Sequence, residues 1–208
     1  MSGVTLSRDG VVTGNTYDKY GSTNPVVRRL MAGFERDLDE LLARAQPASV
    51  VDVGCGEGVL AQRWARSLGT QARIVGLDLE EESIQAGWAR HSEPNLCYEI
   101  MRGAEIPFAA NEFDLASAIE VLEHVPNPEL TLAEMARCAR RHLLLSVPRE
   151  PVWRLLNMAR GAYVRELGNT PGHINHFSKR SFARLLARHG DVVELRSPFP
   201  WTMALVAL

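Results

Sequence analysis

The stretch 50-VVDVGCGEGVLA-61 decides the fold. It opens as a valine-rich run carrying one acid, Asp52. Gly54, Gly56 and Gly58 then follow at every second position. From Glu57 onward, EGVLAQRWARSLG has the apolar spacing of a helix. A strand that turns through glycines into a helix allows positive φ and close approach of backbone to a ligand. The spacing is Gly-x-Gly-x-Gly, whereas a dinucleotide fingerprint reads Gly-x-Gly-x-x-Gly. The next apolar run, 72-ARIVGLD-78, ends at Asp78, 20 residues beyond Gly58. A carboxylate there can accept hydrogen bonds from both hydroxyls of a ribose. Any tight strand-to-helix turn favours glycine. Three of them followed by this acid point further, to ligand binding.

Outward from this centre the chain alternates. EEESIQAGWARH (80–91) reads as a helix, and NLCYEIMR (95–102), FDLASAI (113–119) and HLLLSVP (142–148) read as strands. NPELTLAEMARCARR is a helix between the last two, with Pro128 in its first turn. Alternating strands and helices predict an α/β fold with a parallel sheet covered on both faces, binding ligands at the carboxyl ends of its strands. The end differs. KRSFARLLARHG (179–190) is an amphipathic helix closed by glycine, and DVVELRS and WTMALVAL are strands joined only by PFP. So short a link cannot hold a parallel crossover, which predicts an antiparallel hairpin at the edge of the sheet. Before the core, residues 25–45 place Val27, Leu30, Met31, Phe34, Leu38 and Leu41 on one helical face. Residues 1–15 are polar and contain glycine, the composition of a mobile arm.

The bulk numbers set limits. The 208 residues suit one α/β domain, and a net charge of −2 gives no global electrostatic case for nucleic acid. Three widely spaced cysteines, Cys55, Cys97 and Cys138, predict reduced thiols and a cytoplasmic setting. The N-terminus lacks the pattern of a secretory signal, and no apolar run is long enough to span a bilayer.

The glycine loop and its acid resemble those of class I S-adenosylmethionine-dependent methyltransferases. The likeness is to the small-molecule branch that includes ubiquinone and menaquinone biosynthesis enzymes, and it runs over residues 45–208. It implies a Rossmann-like, mostly parallel sheet of seven strands with helices on both faces and an antiparallel C-terminal hairpin. It also implies an N-terminal arm and cap helix over 1–44 and a lid insertion over 149–172. S-adenosylmethionine is the implied cofactor. Asp52, Gly54, Cys55, Gly56 and Gly58 would form its loop, Asp78 would hold the ribose hydroxyls, and Leu79 would lie against the adenine. The segment GAEIPFAANEFDLASAIEVLEHVPNPE (103–129) also matches. The family's adenine-binding acid is replaced by Gly103, so adenine recognition would fall to the backbone of Gly103 and Ala104, helped by Glu105. Ile119 and Glu120 would line the methionyl end.

Methyl transfer from a sulfonium needs alignment of nucleophile, methyl carbon and sulfur, worth about 7–11 kcal/mol, and a base when the nucleophile carries a proton. The candidates are His124, His173 and Tyr17, the last in the arm TYDKYGSTNP (16–25). NTPGHINHFS (169–178) offers His173 to the substrate pocket and gives His176 the task of holding the loop before the N-cap Ser178. Glu120, Glu123 and His124 match a cluster that some quinone O-methyltransferases use for a divalent cation, but surface or structural roles weigh more, and no metal is assigned.

The insertion PREPVWRLLNMARGAYVRELGNTPG places Val152, Leu155, Leu156, Ala159 and Tyr163 at helical spacing among Arg149, Arg154, Arg160 and Arg165. A lid over the active-site mouth is the plain reading. Peripheral membrane contact through 150–166 with anionic lipid or a lipid-linked substrate is the sharper one. The expected activity is O- or C-methylation of a small-molecule or lipid-linked acceptor. A non-catalytic cofactor-binding regulator and an NAD-dependent dehydrogenase are the alternatives. Neither a nucleic-acid partner nor an oligomeric state is implied.

Overall fold

The computed structural model describes residues 6–8, 11–13, 23–101 and 105–208. Two short strands, β1 (Leu6–Arg8) and β2 (Val11–Thr13), pair antiparallel, a hairpin that the polar composition of this segment did not announce. Helix α1 (Pro25–Ala45) follows. The Asn24 side chain caps it by accepting from Val26 N at 2.9 Å, and Pro25 occupies the first turn. The expected face is the buried one: Met31, Phe34, Leu38 and Leu41 are in the core, joined by Leu42 and Ala45.

The main sheet has seven strands: β3 (Ser49–Val53), β4 (Arg73–Asp78), β5 (Leu96–Ile100), β6 (Phe113–Ile119), β7 (Ala139–Pro148), β8 (Asp191–Arg196) and β9 (Trp201–Ala207). Their order is β5-β4-β3-β6-β7-β9-β8. Strands β3 to β7 pair parallel, and β9 runs antiparallel between β7 and β8, which puts β8 at the edge as the short PFP link requires. Helices α2 (Val59–Leu68) and α3 (Glu82–Arg90) connect β3, β4 and β5; α4 (Pro128–Cys138) connects β6 and β7; α5 (Val152–Ala159) and α6 (Lys179–Leu186) lie between β7 and β8.

Alternation along β3 sorts the core into two layers. Val51 and Val53 pack with Leu132 and Met135 of α4 and Phe182 and Leu186 of α6. Val50 packs on the other face with Phe34 and Leu38 of α1 and Ala61 and Trp64 of α2. From β3 the chain moves outward first through β4 and β5 and later through β6 and β7. The crevice at the carboxyl ends of β3 and β6 is therefore the topological switch point, where sheets of this kind bind ligands.

The insertion departs from its sequence pattern. Helix α5 ends at Ala159, short of Tyr163, and its apolar stripe faces outward: Leu155 is 57% exposed. Asn157 is buried and Trp153 half-buried instead. Trp153 Nε1 donates to Thr170 Oγ1 at 2.9 Å, and Asn157 Nδ2 donates to Gly168 O at 2.8 Å and to Thr170 Oγ1 at 3.1 Å. The returning chain satisfies these polar groups, so the polar side of the helix is the one that can be buried.

Candidate active site

The site is built on the turn after β3. Gly54 N and Cys55 N both donate to Leu77 O, at 2.8 and 2.9 Å, folding the loop over the end of β4. Gly54 has φ +74°, and a Cβ there would lie 2.5 Å from Val121 Cγ2. Only glycine lets this loop and the segment after β6 touch. Among the described residues, none beyond its chain neighbours comes within 4 Å of a Cβ built on Gly56, so the loop has open space there. Asp78 sits where β4 ends. Its Oδ2 accepts from Gly56 N at 2.6 Å and its Oδ1 from Leu79 N at 2.7 Å. Burial raises its pKa while these two amides pull it down. A carboxylate has about four acceptor positions, so both oxygens keep capacity for ribose hydroxyls.

Asp52 is 2% exposed in β3, beside Ser117 of β6, whose Oγ donates to Asp52 Oδ1 at 2.8 Å. Burial lifts this carboxyl to about 7; the Ser117 bond opposes the rise and the charge of Asp78 adds to it. An acid with a raised folded-state pKa holds its proton in the folded protein while the unfolded chain has already lost it. Its contribution to stability is therefore full below the ordinary 3.8 and is lost as pH rises toward about 7. Over that window the loss amounts to about 4 kcal/mol. Asp52→Asn keeps an acceptor for Ser117 and removes the titration. It is expected to flatten unfolding free energy between about pH 4 and 7 and to exceed the parent by about 2–4 kcal/mol near pH 8. Urea unfolding near pH 5 and pH 8 measures this, and parallel pH profiles of variant and parent would refute it.

The segment after β6 carries the second half of the site. Glu120 has φ +61°, a conformation that costs a non-glycine residue about 1–3 kcal/mol and clusters at functional sites. It is held there: Glu120 Oε1 accepts from Ser146 Oγ at 3.1 Å and Oε2 from Trp201 Nε1 at 2.7 Å. Ile119, the last residue of β6, is 9% exposed beneath it. Three residues further, the chain meets the returning segment 172–175. Ile174 N and Asn175 N donate to Glu123 O at 2.9 and 3.1 Å. Asn175 Nδ2 donates to Leu122 O at 3.0 Å and Val125 O at 2.7 Å. His124 Nδ1 lies 3.0 Å from Gly172 O. A carbonyl can only accept, so Nδ1 carries the hydrogen and the lone pair of neutral His124 is on Nε2, 4.0 Å from Glu123 Oε1.

This lacing brings His173 into the site. It is 8% exposed, edge-on to His124 with ring centroids 4.9 Å apart and facing Trp153 at 6.1 Å. Trp153 continues to Trp201 at 5.9 Å and Trp201 to Phe34 at 4.8 Å. Ligand atoms of Glu123, His124 and His173 lie within 4.8 Å of one another, a donor set able to take a divalent cation. The third member is His173, not Glu120, whose carboxylate bridges β7 and β9. His173 is buried and His176 exposed, and Asn175 does the holding expected of His176.

The sequence candidates thus fall into two neighbouring groups. Asp52, Gly54, Cys55, Gly56, Gly58, Asp78 and Leu79 gather at the ends of β3 and β4, while Ile119, Glu120, His124 and His173 gather after β6. Tyr17, Gly103 and Ala104 lie outside the described residues. Ser117, Ser146, Trp153, Asn175 and Trp201 carried no sequence signal, because each acts through a partner distant in the chain.

A family model described as a methyltransferase domain matches residues 27–194. Among curated proteins, the ubiquinone biosynthesis O-methyltransferase of Psychrobacter cryohalolentis is 29% identical over 65% of this chain and 59% of its own length. That of Thiobacillus denitrificans is 35% identical over 44% of this chain and 39% of its own. The chain therefore spans about two-fifths to three-fifths of these relatives. The magnesium protoporphyrin IX methyltransferase of Synechocystis, solved with bound SAH, has the same fold at 19% identity, with a TM-score of 0.63 over 90% of this chain and 89% of that one. Sheet order, glycine loop and the match over most of its length agree: the chain belongs to the methyltransferase-domain family.

Proposed function

We propose that this chain transfers a methyl group from S-adenosylmethionine to the oxygen of a small-molecule or lipid-linked acceptor. One observation carries the reading: the Asp78-pinned glycine loop lies against the segment that bears His124, through the contact of Gly54 with Val121. A cofactor-binding half and a proton-handling half thus share one crevice. The glycine loop, Asp78, Leu79, Ile119 and Glu120 would hold the cofactor, which when bound supplies the activated methyl group. His173 and His124 would receive the acceptor's proton, and Trp153 and Trp201 keep water from that side. O-transfer is supported by the relatives named for ubiquinone biosynthesis.

The lid supports a lipid-linked acceptor handled at a membrane surface. Leu155, Leu156, Val164, Leu167 and Ile174 are exposed on the stretch between β7 and α6, and Arg149 lies over the ring of exposed Phe199 at 5.8 Å. Exposed apolar side chains interspersed with arginines suit an anionic interface. No helix among the described residues is long and apolar enough to cross a membrane.

Incubating the protein with methyl-labelled S-adenosylmethionine and fractionated cell extracts tests both statements. Label is expected in the organic phase. Label confined to polar metabolites would refute the lipid-linked acceptor, and absence of transfer to any fraction would refute the activity.

A further inference from the structure

The glycine loop is held from behind by three aromatic side chains that the cofactor reading does not use. Trp88 of α3 donates from Nε1 to Gly56 O at 2.9 Å. His91, just beyond α3, lies with Nδ1 2.8 Å from Glu57 O. A carbonyl accepts, so Nδ1 is the protonated nitrogen. Tyr98 of β5 stacks on Trp88 with centroids 5.0 Å apart and planes 6° from parallel. Its hydroxyl donates to His91 O at 2.5 Å and lies 3.4 Å from Gly58 O. The fit is close. Gly58 has φ +90°, and a Cβ there would come 2.2 Å from Tyr98 Oη; one on Gly76 would come 2.7 Å from the same ring.

A trans peptide is planar, so fixing either its C=O or its N–H fixes the whole unit. The unit between Cys55 and Gly56 is fixed by Gly56 N–H on Asp78. The next is fixed by Gly56 O on Trp88. The third is fixed at both ends, by Glu57 O on His91 and by Gly58 N–H on Cys55 O at 3.1 Å. Three consecutive peptide planes are thus set. The trans geometry turns the Glu57 N–H away from Trp88, on the side opposite the brace.

We infer that Trp88, His91 and Tyr98 are positioning residues for cofactor binding: they orient the peptide planes of the glycine loop without touching the ligand. The inference rests on the S-adenosylmethionine reading and adds to it the residues that pre-organise the loop, so that ordering it does not draw on binding energy. Trp88 and His91 are half-buried at the surface of α3, so replacing them leaves both core clusters intact.

The test is calorimetric titration with S-adenosylhomocysteine, together with amide hydrogen exchange over residues 54–60 of the free protein. Trp88→Phe keeps the stack on Tyr98 and removes the donor; His91→Ala removes the second donor; His91→Asn restores an N–H near the Nδ1 position. Each loss of a donor is expected to raise Kd by about five- to tenfold. It should also speed exchange in the loop and leave the melting temperature within a few degrees of the parent, with His91→Asn recovering most of the affinity. Parent-like affinity in both Trp88→Phe and His91→Ala would overturn the inference alone. So would a loss that His91→Asn does not repair, or one that only follows melting temperature. No binding by the parent protein would overturn the cofactor reading and this inference with it.

Discussion

Asp78→Ala is expected to weaken S-adenosylhomocysteine binding by at least about a hundredfold while the protein stays folded. Two losses combine. The first is direct: hydrogen bonds to a charged acceptor are each worth about 1.5–3 kcal/mol, and the ribose would lose its acceptor. The second is indirect, because the same carboxylate holds Gly56 N–H at 2.6 Å and Leu79 N–H at 2.7 Å. Without it the first of the loop's fixed peptide planes is released, and the amide of Leu79 loses its partner where adenine is expected. Asp78→Asn sharpens the test. An amide offers one acceptor oxygen, and its NH2 would face one of the two backbone N–H groups. Asparagine is therefore expected to bind no better than alanine, whereas a role of simple bulk would let it recover. Titration calorimetry reads both variants, and an alanine variant within about fivefold of the parent would refute the assignment of Asp78 to the ribose.

What the sequence revealed is what local chemistry enforces. The glycine loop, the acid at the end of β4 and the antiparallel end of the sheet each follow from residues within a few positions of one another. What it did not reveal has a common cause. On α5 the apolar residues Leu155, Leu156 and Ala159 keep helical spacing, yet they are exposed. Periodicity counts apolar side chains and does not register that Asn157 and the indole N–H of Trp153 meet their partners at Gly168 and Thr170, beyond the next turn. In the same way the task of holding the loop was given to His176, and Asn175, one position before it, carried no signal. The backbone lacing around Asn175 turns the His173 imidazole into the site and leaves that of His176 exposed. Trp88 and His91 were invisible for the same reason: the carbonyls they hold, Gly56 O and Glu57 O, lie 32 and 34 residues away.

His173→Ala is expected to lower methyl transfer by about a hundredfold or more with S-adenosylhomocysteine affinity within about twofold of the parent. The two effects separate because the two halves of the site are held independently. The cofactor half is fixed at the ends of β3 and β4, while His173 hangs on a segment secured by Ile174 N and by the backbone and side chain of Asn175. Removing the imidazole leaves that lacing in place, so Tm should change little. Asn175→Ala would cut the lacing and is expected to lower turnover and melting temperature together. Glu123, His124 and His173 could also share a cation, and two measurements separate a base from a ligand. A base predicts a pH–rate limb that His173→Ala abolishes, with parent activity insensitive to EDTA. A ligand predicts activity lost to chelator, restored by divalent cation in the parent and not in the variant. Full turnover by His173→Ala would remove the residue from the chemistry altogether. Its burial against His124 and Trp153 would then be packing, and proton transfer would pass to His124, whose Nε2 lone pair lies on the Glu123 side of the ring.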